Sequence, residues 1–171
     1  MIRKILIFLA IIFIVLATTY VSKLLFFKPF SFNHFLTRQL VYDALESPEY
    51  LTYIGILEKY GYRSYNGKLS DYSLKKDIKD LKKLKKEYKI LNSYEDKDLS
   101  AEELTSKKIS LFQMRNEIDQ KTKYPYHSYP LIQMNGLHTQ ILEFMTDIHP
   151  IKDEKDAKYY LSRLEMIPIV F

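Results

Sequence analysis

Cysteine is absent from this chain, which excludes disulfides, thiolate zinc sites and a lipid-modified cysteine at the end of a signal sequence. Glycine and proline are scarce, four and six among 171 residues, so tight turns are few and long helices are favoured. Histidine is no more abundant. The four are His34, His127, His138 and His149; no two lie four positions apart and none precedes glutamate. The H-E-x-x-H arrangement, two metal ligands and a base on one helix face, therefore cannot be built from them. No serine or threonine sits in the glycine-flanked setting of a nucleophile elbow, and no internal repeat is found.

What is present divides at about residue 28. After Arg3 and Lys4 the chain runs from Ile5 to Val21 without a charge, and Leu24 to Phe27 continue the run past Lys23. A spanning helix needs about 20 apolar residues and a signal-peptide core about 7 to 15. With Lys23 able to snorkel, and with Tyr20 and Val21 where a cleavage site wants small residues, the stretch reads as an uncleaved anchor rather than a cleaved signal. Residues 1–28 are accordingly assigned as membrane anchor or signal segment. The two-charge stub is expected to stay inside, leaving the bulk of the chain extracytoplasmic; secretion after cleavage is the alternative.

Beyond Pro29 the pattern is helical throughout. Ser31 or Asn33 can cap a helix carrying Phe35, Leu36, Leu40, Val41 and Leu45. Ser47-Pro48-Glu49 starts another, with Leu51, Ile54 and Leu57 inward, and Gly61, Asn66 and Gly67 mark a tyrosine-rich loop. Ser70, Asp71 or Ser73 caps a lysine-rich helix whose inner stripe is Leu74, Ile78, Leu81, Leu84, Tyr88 and Leu91. Ser100 and Glu103 form a capping box for the next, with Leu104, Leu111, Phe112 and Ile118 inward. An irregular connector, Lys121 to Pro130, leads to Leu137, Ile141, Phe144, Met145 and Ile148 at helical spacing. His149-Pro150 breaks that helix, and Asp153 caps a last one with Ala157, Tyr160, Leu161 and Leu164 as its stripe, ending at Glu165 or Met166. The expected class is all-α, an anchor helix followed by about six others.

Several of these words occur together in a known family. Ser47-Pro48-Glu49 with Leu51-Thr52 and Gly55, Leu99-Ser100, Tyr129-Pro130, Gln133, Gly136, His149-Pro150, Asp156-Ala157 and Arg163-Leu164 stand in an order and spacing that resembles the amino-terminal part of the domain-of-unknown-function 885 family, over about residues 31 to 167. The resemblance implies a parent that is a helical zinc metallopeptidase several times longer, with its H-E-x-x-H helix in the later half. It further implies zinc for full-length relatives and a peptide substrate in that context. Residues 29–171 are then the helical amino-terminal region of such a domain, truncated, as the uncovered apolar run Ile167-Pro168-Ile169-Val170-Phe171 also suggests.

Between Leu74 and Leu91 eight lysines stand against Asp77, Asp80 and Glu87, an excess of five that equals the formal net charge of +5. Such a run can meet nucleic acid or anionic lipid, but its alternation with an apolar stripe reads as the solvated face of a packed helix. No nucleic-acid partner is expected, and lipid binding would require that face to lie near the anchor. His149 is expected to cap a helix end through its imidazole. Glu143 and Asp147 share a helix face without a third ligand, and Tyr124, Tyr126 and Tyr129 among prolines read as packing. No catalytic, cofactor-binding or metal residue is assigned in this chain, and catalysis by it alone is not expected. The alternative function is a complete non-enzymatic tethered module, binding a partner or an anionic surface through the lysine-rich helix and the tyrosine–proline connector.

Overall fold

A computed structural model describes residues 2–126 and 131–170. Seven α-helices follow one another: α1 Ile2–Phe26, α2 Phe32–Glu46, α3 Pro48–Ile54, α4 Leu74–Asn92, α5 Ala101–Lys123, α6 Leu137–Glu143 and α7 Glu154–Val170. No strand occurs among the described residues. The helix starts are those the sequence encodes. Ser31, Ser47, Ser73 and Ser100 each accept from the main-chain N–H three residues on, Pro48 occupies the first turn of α3, and Ser100 with Glu103 forms the complete capping box.

α1 is long enough to cross a membrane. Its apolar segment, Ile7–Phe26, is 20 residues with none of it buried against the body, about 30 Å at helical rise. α1 meets the body at its carboxyl end, where main-chain carbonyls lack an i+4 donor. Arg38 Nη1 donates to Leu24 O at 3.3 Å and to Phe27 O at 2.5 Å, Tyr42 Oη to Leu25 O at 2.7 Å, and Lys86 Nζ to Phe26 O at 3.3 Å. Cations and a hydroxyl from α2 and α4 thus close the end of α1, the favourable sign for a helix carboxyl terminus.

Two small cores hold the body. In the first, Phe32, Phe35, Leu91 and Tyr94 are buried where α2, α4 and α5 meet, with Leu36, Ile90, Leu99, Leu111 and Met114 against them. In the second, Leu137, Ile141, Phe144 and Met145 pack against Ile148, Tyr160 and Ile167; full burial of one such side chain is worth about 1.5–3 kcal/mol. The expected inner face of residues 137–148 is therefore seen in full, carried by α6 and a π-helical turn, Phe144–Ile148.

Other expected stripes are not. On α2, Leu40, Val41 and Leu45 are exposed while Phe32, Phe35 and Arg38 are buried, because Arg38 pairs with the carboxylate of Glu87 at 2.5 Å. On α4, Leu74 and Ile78 are 59% and 72% exposed, since the first two turns extend past the first core. Phe112 of α5 faces out, and the buried position on that helix is Lys107, whose ammonium donates to Tyr94 O and Asp96. Ile54 of α3 is exposed and Thr52 buried. On α7 the inner positions are Asp156, Tyr160, Arg163 and Ile167, with Leu161 and Leu164 outward. That helix runs on to Val170 through Pro168 instead of ending at Glu165 or Met166. Ile167 packs into the second core and Ile169 is exposed; Phe171 lies outside the described residues.

Candidate functional site

The tyrosine-rich loop between α3 and α4 is more ordered than its composition suggests. It holds two 3-10 turns, Leu57–Tyr60 and Ser64–Gly67, and the second lies on α7. Gly67 has the reason of close approach: a Cβ there would come within 2.8 Å of Tyr159 Cδ1. Gly136, ahead of α6, is similar, a Cβ meeting the Ile132 main-chain nitrogen at 2.8 Å. Gly55 ends α3 in the left-handed conformation, φ +63°.

Where this loop, α3, the π turn and α7 converge, the polar residues form one closed cluster around Arg163, which is fully buried. Its Nε donates to Lys68 O at 2.7 Å and Nη1 to His149 Nδ1 at 2.7 Å. Nη2 reaches Thr52 Oγ1 at 2.8 Å, Tyr65 O at 3.2 Å and Pro48 O at 3.4 Å. The guanidinium also lies 4.7 Å from the centroid of the Phe144 ring. Three of the five acceptors are main-chain carbonyls, so the group ties α3, the loop and the π turn to α7. Burial pushes the Arg163 pKa down to about 10, which leaves it charged at neutral pH.

A second layer surrounds it. Thr52 Oγ1 lies 2.8 Å from Asn66 Oδ1, and Asn66 Nδ2 donates to Glu58 at 2.9 Å. Asp156, 1% exposed, accepts from Arg63 Nη1 at 2.9 Å and from the Lys152 N–H at 3.2 Å, while Arg63 Nη2 donates to Asp153 at 2.7 Å. Asp153 caps α7 as expected, accepting from the Asp156 N–H at 2.9 Å. The Asp153 carboxyl is held below the usual range by the Asp156 N–H and by Arg63.

His149 departs from its expected role. Its main-chain N–H closes the π turn on Phe144 O at 2.9 Å, but Nδ1 of the imidazole is turned to Arg163 and not to a helix-end carbonyl. Because Arg163 donates to Nδ1, that nitrogen carries the lone pair and the proton belongs on Nε2, which is buried without a hydrogen-bond partner among the described residues. Burial first and the Arg163 charge second push the imidazole pKa down. The ring is a neutral acceptor packed edge-on to Phe144 and Tyr160.

The other candidates stay apart. His34 and His138 are exposed, and His127, Tyr129 and Pro130 lie outside the described residues. Glu143 and Asp147 are exposed on one face, and among the described residues no three histidine or acidic side chains group so as to hold a metal ion. Tyr126 is exposed beside Leu74, Ile78 and Leu81 in an apolar cleft between α4 and the end of α5. A wider groove between α2, α4 and α5 has Phe35, Leu36, Leu84 and Met114 in its wall and carboxylates at its rim. Of the rim groups, Glu46, Asp80, Glu87 and Glu117 are engaged by lysine or arginine.

Some of the words that carry the family resemblance are brought together by the fold. Pro48, Thr52, His149 and Arg163 touch directly, and Asp156 stands in the adjoining layer. Arg63 and Asn66 belong to the same cluster; Asn66 is read in the sequence only as a loop marker, and Arg63 sits among tyrosines without a motif. No curated protein and no solved structure matches the chain. The family model described as "Bacterial protein of unknown function (DUF885)" matches residues 48–171, from the start of α3 through the Arg163 cluster, and the chain belongs to that family.

Proposed function

We propose that the chain is a membrane-anchored helical module of a zinc-dependent peptidase-like protein, not catalytic by itself. Its H-E-x-x-H helix would be supplied by sequence other than these 171 residues. The observation that carries the anchor is α1: an apolar segment of 20 residues with no part of it buried, its end tied to α2 and α4. The peptidase context is supported by the resemblance to zinc metallopeptidases. The role of the module is structural, because Arg163 spends its donors on internal acceptors and holds together the elements that would wall a peptide groove in the larger protein. The bulk of the chain lies outside the cytoplasm in this reading, as the short charged stub Arg3-Lys4 supports.

Two measurements test it. The purified chain is assayed for bound zinc and for hydrolysis of a peptide library, with substoichiometric zinc and no hydrolysis expected. Stoichiometric zinc or turnover would overturn the proposal. The genomic sequence downstream of Phe171 is read for H-E-x-x-H, whose absence would remove the peptidase context.

A further inference from the structure

Seven of the eight lysines on α4, all but Lys85, fall into two sets. Lys76 and Lys83 pair with Glu46, and Lys76 with Asp80 as well. Lys75, Lys79, Lys82, Lys86 and Lys89 follow one another at steps of four, three, four and three, which places them on one stripe of the helix. None of these five has an ion-pair partner among the described residues. The stripe does not face open solvent at its carboxyl end. Lys86 Nζ lies 3.3 Å from Phe26 O, and Lys28 Nζ, just past α1, donates to Ser93 O at the end of α4 at 2.9 Å. This end of α4 is thus held beside the point where α1 would leave a bilayer.

The surroundings suit a headgroup layer. Tyr20 and Phe30 stack at 5.2 Å, Lys23 Nζ stands 4.9 Å from the Phe30 centroid, and Phe26 and Phe27 are exposed. Aromatic rings with lysines at the end of an apolar helix are the composition of a membrane interface. Each ammonium has three donors, so one carbonyl contact leaves Lys28 and Lys86 able to bind phosphate.

We infer that Lys23, Lys28, Lys82, Lys86 and Lys89 form a collar that docks the body on the anionic phospholipid headgroups of the leaflet where α1 ends. The inference rests on reading α1 as an anchor and is independent of which compartment holds the body. Unpaired cations on a face adjoining the membrane are complementary to anionic lipid, whereas Asp80 and Glu87 of α4 lie on the side turned to α2 and Asp77 pairs with Lys121 of α5. The collar would fix the orientation of the body over the membrane as well as its attachment.

The test uses the full chain in vesicles of phosphatidylcholine alone and in a phosphatidylcholine–phosphatidylglycerol mixture. Flotation with both reports the anchor. Amine acetylation followed by peptide mass spectrometry reports the collar. Labelling of Lys82, Lys86 and Lys89 is expected to slow about fivefold in the mixture, the partitioning effect of one lysine near an anionic surface. Lys155 and Lys158 on α7 should label equally in both, and high salt should abolish the difference. The variant Lys82→Gln/Lys86→Gln/Lys89→Gln should float like the parent but cease to enrich phosphatidylglycerol among co-purified lipids. Flotation with equal labelling in both vesicles would overturn the collar and leave the anchor standing. Failure to float would overturn both. Protection by duplex DNA with none by anionic vesicles would also refute the proposal.

Discussion

Replacing Arg163 with methionine should destabilise the body by about 3–5 kcal/mol, because several buried acceptors lose their donor at about 1–3 kcal/mol each. The magnitude follows from the identity of its partners. A buried ion pair can be exchanged for apolar residues with little loss, because both charges leave together. Here the acceptors include Lys68 O, Tyr65 O and Pro48 O, which stay in place whatever residue 163 becomes; Tyr65 O keeps the Lys68 N–H and Pro48 O the Thr52 hydroxyl, whereas Lys68 O loses its side-chain donor. Each buried acceptor left unsatisfied costs about 1–3 kcal/mol, and Thr52 and His149 lose their donor as well. Against a total stability of about 5–15 kcal/mol, the loss is a large fraction. Urea unfolding of the full chain in detergent, followed by far-ultraviolet circular dichroism, measures it. Arg163→Met and Thr52→Val should be non-additive, by about 0.5–3 kcal/mol. A loss below about 1 kcal/mol, within the range of an ordinary single hydrogen bond, would refute the clamp.

Other consequences are as specific. The imidazole of His149 is held below its ordinary pKa by burial and by Arg163, so the unfolded chain binds its proton more readily. Stability is then complete above about pH 6.5 and falls as pH drops from there toward the folded pKa; His149→Gln should flatten that part of a pH–stability curve. Glu87→Ala leaves the Arg38 guanidinium buried without its carboxylate and should cost about 3–5 kcal/mol, seen as a lowered urea midpoint. Gly67→Ala places a Cβ against the Tyr159 ring and should cost about 1–3 kcal/mol, with partial recovery when Tyr159→Ala opens the space. Ser100→Ala removes the capping box of α5 at a cost of about 1 kcal/mol, measurable in the same unfolding assay.

Features set by a few neighbouring residues were legible in the sequence. The serine caps, Pro48 in the first turn of α3, the break at His149-Pro150 and the apolar face from Leu137 to Ile148 all depend on local spacing, and all are present. The misplaced faces share one physical cause. Apolar periodicity locates a buried side only when burial is apolar, and here Arg38, Lys107, Asp156 and Arg163 occupy interior positions. Leu40, Val41, Leu161 and Leu164 are turned outward as a result. The partners that make those charges tolerable are distant in sequence: Arg38 meets Glu87 on α4, and Arg163 meets Thr52 and Lys68. No window of residues contains both members. The site was legible in part for the same reason. Its words could be read singly, but their meeting around Arg163 is a property of the fold; Asn66 signalled only a loop, and Arg63 had no local signal.

The junction of α1 with the body bears most directly on how this protein works, since it determines whether the helical module is held at a membrane. The decisive measurement is carbonate extraction of membranes from cells producing the chain, with intact-mass determination of the recovered protein. The account predicts an uncleaved chain of 20.5 kDa that resists extraction and floats with lipid. A shortened, freely soluble chain beginning beyond Phe26 would contradict it.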